Sequence, residues 1–143
     1  MVELTLDRLV SLAGEWTDDS RASEQFRQII DDEQTTTEEI ETYLHEAIQG
    51  SEQYHNRALQ DLINNIGRRL GFQVEYGVYQ GTSGTIGYDG LWTSTATEDE
   101  THLIVETKKS TAFSIDPGQA GQYMDELVQQ EDVDRSQVYG LYV

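Results

Sequence analysis

Cysteine is absent from this chain of 143 residues, and proline occurs once. The first absence removes disulfides, thiolate metal sites and cysteine nucleophiles from consideration. Lysine is scarce as well: the two that occur, Lys108 and Lys109, stand side by side in LIVETKKS at residues 103–110. No window approaches the roughly 18 consecutive apolar residues of a membrane-spanning helix. The opening MVELTLDRLV has no basic stretch leading into an apolar one. These absences point to a soluble, cytoplasmic protein with no membrane partner.

Acid is what the chain has in excess. Asp and Glu number 27 against 9 Lys and Arg, for a formal charge of -18, while hydrophobic residues make up 36%. That apolar share is too high for a disordered acidic tail, and the length suffices for one core, so one globular domain with a small appendage is expected. Acid spread along the whole chain, with so little lysine, suggests adaptation to a salt-rich, halophile-type cytoplasm. There carboxylates keep the surface hydrated and salt screens their mutual repulsion. Molar salt would screen repulsion from phosphate too, so the charge does not exclude a nucleic-acid partner.

The texture of the chain changes near Gly50. Before it, short helical patterns run over Leu4 to Leu12, Phe26 to Ile30 and Ile40 to Ile48. The last is preceded by capping-box spacing from Thr36 to Glu39 and closed by Gly50. Residues 1–50 therefore read as a helical segment that could mediate homodimerisation, recognise a substrate or cover a sheet edge. From Ser51, the spacing of Tyr54, Ala58, Leu62, Ile66 and Leu70 predicts a long helix ending at Gly71. Phe72, Val74, Tyr76 and Val78 alternate as in a strand. A GTSG turn at 81–84 follows, and then a second strand on which Ile86, Tyr88 and Trp92 share a face. After the polar loop 94–101, HLIVETK predicts a third strand. Asp116 as N-cap and Pro117 at the first helical position open a helix with Ala120, Tyr123, Met124, Leu127 and Val128 on one side. QVYGLYV predicts a fourth strand, and a longer natural chain could continue from it. Residues 51–143 thus read as an α/β core in the order helix, three strands, helix, strand.

Alternation along the third strand puts His102, Ile104, Glu106 and Lys108 on one face and Leu103, Val105, Thr107 and Lys109 on the other. Asp89 lies opposite the Ile86, Tyr88, Trp92 face, with Gly87 and Gly90 near it leaving room for a ligand. If the second and third strands pair as a hairpin, Asp89 comes beside Glu106. Two adjacent carboxylates are stable only if one is protonated or a cation sits between them. Oxygen ligands favour Mg²⁺ or Mn²⁺, and a neighbouring ammonium could orient a water and stabilise charge on a phosphate.

Asp89, followed after a loop by Glu106-Thr107-Lys108 within this order of elements, resembles the PD-(D/E)xK nuclease superfamily with its restriction-endonuclease-like core. GYD at 87–89 is similar to the Gly-x-Asp habit of the RecB-like branch, and Gln119 with Tyr123 to that branch's Gln-x-x-x-Tyr motif. The resemblance covers residues 51–143. It implies a Mg²⁺-dependent nuclease cleaving DNA by a metal-activated water, with RNA left open as substrate. On that resemblance Asp89, Glu106 and the carbonyl of Thr107 bind the metal. Lys108 is the catalytic lysine, and Gln119 and Tyr123 brace it or contact the scissile strand. The branch also places a metal-facing His or Glu on the first core helix, for which His55 and Glu52 are both candidates.

Plainer readings stand beside these. Glu106 and Lys108 could form a solvated ion pair worth at most about 1 kcal/mol, although a strand opening LIV is of a buried type. Lys109 reads better as a surface lysine than as a phosphate contact, His55 as a half-buried helix residue, and Glu75 as a solvated strand residue. Tyr76, Tyr79, Tyr88 and Trp92 could stack on bases but fit core packing. The alternative to a nuclease is a catalytically silent module that keeps the fold for nucleic-acid binding or protein assembly. A purely structural acidic protein is a third reading.

Overall fold

Three N-terminal helices each start at a hydroxyl side chain that caps a free backbone amide: Thr5 accepts from Arg8, Ser20 from Ser23 and Thr36 from Glu39. The computed structural model describes residues 4–80, 86–94, 99–108 and 117–143. The expected turn at 81–84, Lys109 and the N-cap Asp116 lie outside the described residues. The helices are α1 (Leu6–Ala13), α2 (Arg21–Asp31) and α3 (Thr37–Gln49), followed by the longer α4 (Gln53–Arg69). The box predicted at Thr36 is present, since the Glu39 carboxylate also accepts from the Thr36 amide. Thr36→Ala is expected to lower unfolding free energy by about 1 kcal/mol, read as a lower urea midpoint with unchanged slope.

The chain forms two compact units, 1–65 and 66–143, and the division falls within α4. In the first unit Leu6, Leu9, Trp16, Phe26, Ile30 and Ile40 are buried together with Ala58, Leu59, Leu62 and Ile63 of α4. Trp16 and Phe26 pack ring to ring at 4.9 Å, and Phe26 meets Tyr43 edge-on at 5.4 Å. α4 also buries Arg57, Asp61 and Asn65, which an apolar stripe does not foresee. Each is satisfied by α2 or the loop before it. Arg27 pairs with Asp61 at 3.1 Å, Asn65 donates to the Ile30 carbonyl at 2.8 Å, and Arg57 donates to the Trp16 carbonyl.

The second unit carries a four-stranded mixed sheet in the order β1-β2-β3-β4: β1 (Gln73–Tyr76), β2 (Gly90–Ser94), β3 (Thr101–Glu106) and β4 (Val138–Tyr142). The first two pairings are antiparallel and β3–β4 is parallel. That parallel step needs a crossover, which α5 (Pro117–Glu131) and a short 3₁₀ turn at Arg135–Gln137 supply. Helix, three strands, helix, strand is the order expected from sequence, and the protein is α/β. Among the described residues, no helix is long and apolar enough to cross a membrane.

The face assignment in the second strand needs correction. β2 begins only at Gly90, after a bend at Asp89. Ile86 and Tyr88 join Leu91, Ile104, Leu127 and Val138 in the core beneath α5. Trp92 points the other way, its ring 5.5 Å from Phe72 and over Gly67 of α4. Strict alternation from Ile86 would have kept Trp92 with Tyr88; the bend shifts the phase by one residue, so Leu91 takes that place.

Candidate active site

β3 lies between β2 and β4 and is buried over its last three residues, with Ile104 and Val105 fully covered. Glu106, its last residue, inherits that burial at 5% exposure, where an isolated carboxylate is costly. The antiparallel register pairs Gly90 with Val105, and the Asp89 amide donates to the Val105 carbonyl at 3.1 Å. Asp89 therefore continues the ladder one step beyond β2, beside Glu106. Its carboxylate accepts from the Thr107 amide at 2.6 Å, a short charge-assisted bond that fixes the side chain against β3.

Lys108 returns to the same site. Its backbone amide donates to the Val143 carbonyl at 2.8 Å, and the Val143 amide to the Glu106 carbonyl at 2.9 Å, which prolongs the β3–β4 pairing past Glu106. The ammonium lies 3.4 Å from Glu106 Oε2. Among the described residues, the other carboxylate oxygen, Oε1, is buried without a hydrogen-bond partner, as is Thr107 Oγ1. Glu106 is thus half satisfied: one oxygen faces the ammonium, and the other has no hydrogen-bond partner among the described residues.

The electrostatics follow from this crowding. Burial, with the neighbouring Asp89 charge added, pushes the Glu106 carboxyl up to about 7 against the opposing pull of Lys108. Burial raises Asp89 too, partly offset by the Thr107 amide and by Lys108.

α5 brings in the remaining pair. Gln119 Nε2 donates to the Tyr123 hydroxyl at 2.9 Å, one helical turn apart. Tyr123 senses the strand site: burial raises its phenol, and the Glu106 charge raises it further. The Tyr123 hydroxyl lies 3.0 Å from where a side chain on Gly87 would begin. The room left by Gly87, expected to admit a ligand, is used by this hydroxyl.

No family model, curated protein or solved structure matches the chain.

What the site can do is therefore set by its own donors. Asp89, Glu106, Thr107 and Lys108 come together at the end of β3, with Gln119 and Tyr123 on α5. His55 and Glu52 are in the first unit, where the His55 ring accepts from the Glu52 amide at 3.1 Å and lies 3.4 Å from Asp7. Glu75 reaches Tyr88, whose hydroxyl is pushed up to about 12 by burial and then by the Glu75 charge. Among the described residues no three His, Cys, Asp or Glu side chains gather as a metal cluster. A cation here would complete its shell from backbone carbonyl, water and ligand oxygens. Mg²⁺ commonly does this with one or two carboxylates. The donors fit such an ion: they are all oxygen, two carry charge, and one buried acceptor lacks a partner.

Sequence reasoning missed Gly77. Its amide donates to the Asp89 carbonyl at 3.0 Å, and a Cβ there would stand 2.5 Å from the Asp89 carbonyl atoms. A glycine inside an otherwise alternating strand pattern signals such a close approach of backbones.

Proposed function

We propose that residues 66–143 hold a metal-dependent nuclease centre of the PD-(D/E)xK type, with a restriction-endonuclease-like core, that hydrolyses DNA phosphodiester bonds. One observation carries the reading: a buried carboxylate with an unpartnered oxygen, Glu106, and a half-buried one beside it, Asp89, share a site with an ammonium 3.4 Å from Glu106. A structural ion pair has no need of the second carboxylate, which raises the cost of burying the first. Asp89 and Glu106 would hold Mg²⁺ or Mn²⁺, with the Thr107 carbonyl as a further ligand. When bound, such an ion activates water as a nucleophile and neutralises charge on the phosphate.

The chain's own groups do the rest. Lys108 keeps its ammonium at the edge of the carboxylate pair, where it orients the attacking water and stabilises charge developing on the phosphate. The Tyr123 hydroxyl accepts from Gln119, so its own proton is directed elsewhere and can be donated to an oxygen of the scissile strand.

The reading is tested by incubating linear and circular DNA with the protein in molar KCl with Mg²⁺, Mn²⁺ or EDTA, beside Asp89→Asn. Cutting is expected with either metal and not with EDTA. Asp89→Asn is expected to lose Mg²⁺ binding by calorimetry at least about tenfold, the range in which supporting groups around metals act. An unchanged Mg²⁺ titration refutes the ligand assignment. Mg²⁺ binding without cutting of DNA turns the reading to RNA, or to a silent module that keeps the fold for binding or assembly.

A further inference from the structure

Gly77 follows directly on β1, and the β1–β2 ladder ends one residue earlier, at Tyr76 opposite Gly90. Gly77 does not owe its identity to a left-handed backbone, since the positive-φ glycines among the described residues are Gly14 and Gly71. Space is the reason. A Cβ on Gly77 would overlap the Tyr88 carbonyl oxygen and stand 2.5 Å from the carbonyl carbon and oxygen of Asp89. These are backbone atoms and cannot rotate away as a side-chain tip can.

Asp89 is consequently clamped on three sides. Its amide donates to Val105 on β3 at 3.1 Å, its carbonyl accepts from Gly77 at 3.0 Å, and its carboxylate accepts from Thr107 at 2.6 Å. The bend that turns residues 86–89 out of the regular strand lies within this clamp. We propose that Gly77 is a positioning residue: its missing side chain lets the chain after β1 press on the Tyr88–Asp89 peptide and so sets the Asp89 carboxylate against Thr107 and beside Glu106. The functional meaning rests on the metal-centre reading, but the placement does not.

The Thr107 amide reports that placement without any metal, because a short bond to a carboxylate moves an amide proton strongly downfield. In ¹H–¹⁵N spectra of the full chain, Gly77→Ala is expected to shift the Thr107 amide upfield and to weaken Mn²⁺ binding by at least tenfold. Gly67→Ala is the matched control. It places a Cβ 2.5 Å from the Trp92 ring, a steric clash within the same unit but away from Asp89, and is expected to lower the melting temperature while leaving both readouts at wild-type values. A folded Gly77→Ala with an unmoved Thr107 amide overturns the proposal, whatever the metal does. If wild type binds no Mn²⁺ yet the Thr107 amide moves, the positioning stands and the metal reading fails. Should Gly77→Ala not fold, the reciprocal measurement decides: Asp89→Asn must shift the Gly77 amide, and an unresponsive Gly77 overturns the coupling.

Discussion

Truncating Lys108 to alanine is expected to lower metal-dependent cleavage by about 100-fold or more, the usual cost of removing one preorganised group aimed at developing charge. Mg²⁺ affinity should stay within a few-fold of wild type. The separation of the two effects follows from where Lys108 is held. Its backbone is fixed by the Val143 carbonyl at 2.8 Å, so the strand does not depend on the side chain for its position. The Lys108 side chain is about a quarter exposed, at 26%, and its ammonium lies 3.4 Å from one oxygen of Glu106, while the other carboxylate oxygen has no hydrogen-bond partner among the described residues. Arginine is not expected to restore the rate, because a planar guanidinium spreads its charge and cannot stand as a compact point beside the carboxylates. In a chain that, Lys109 apart, uses arginine at its other Lys/Arg positions, the proposed role would account for a lysine at 108. Single-turnover cleavage at saturating Mg²⁺ separates rate from binding. Wild-type rates in the variant would remove Lys108 from the chemistry. A loss of metal affinity as large as that of Asp89→Asn would make it a structural partner of Glu106 instead.

The parts of this site that sequence made legible are those governed by local periodicity. Side chains alternate on any strand, so Glu106 and Lys108 had to share a side once HLIVETK was recognised as a strand. A helical spacing of four likewise set Gln119 beneath Tyr123. Capping chemistry is equally local, which is why the Thr36–Glu39 box and the stop at Gly50 could be read directly. The failures are all non-local. The bend at Asp89 changes which of Leu91 and Trp92 faces α5, and it lies where Asp89 is hydrogen-bonded to Gly77 through its carbonyl and to Val105 of β3 through its amide. The buried polar residues of α4 look like the outward face of an amphipathic helix until Arg27, Ile30 and Asp31 of α2 supply their partners. The two compact units divide within α4, a helix that sequence periodicity reads as one continuous element.

Glu106→Gln is expected to stabilise the metal-free protein at pH 8 and to destabilise it, relative to wild type, once Mg²⁺ is added. The Glu106 carboxyl titrates at about 7 in the folded chain against an ordinary value of 4.5. A raised carboxyl favours its protonated form in the fold. Its contribution to stability is therefore complete below about pH 4.5 and is lost as pH rises through 7, a swing of roughly 3 kcal/mol. Glutamine has no charge to desolvate and none to oppose Asp89, so it escapes most of that loss. Some of the gain is given back because Lys108 loses its ion-pair partner. At pH 5 the two proteins should melt nearly together in EDTA; at pH 8 the variant should melt several degrees higher. Molar KCl should leave this difference largely intact, since salt screens buried charges much less than surface ones. Mg²⁺ then acts on wild type by mass action, adding about 2.7 kcal/mol at a hundred times its dissociation constant. On the metal-centre proposal the variant lacks a ligand and should gain little. The order of melting temperatures therefore inverts between EDTA and Mg²⁺, which a purely structural Glu106–Lys108 pair cannot produce. If Glu106→Gln melts below wild type at pH 8 in EDTA as well, the carboxylate is there to hold Lys108, and the metal-centre reading falls with it.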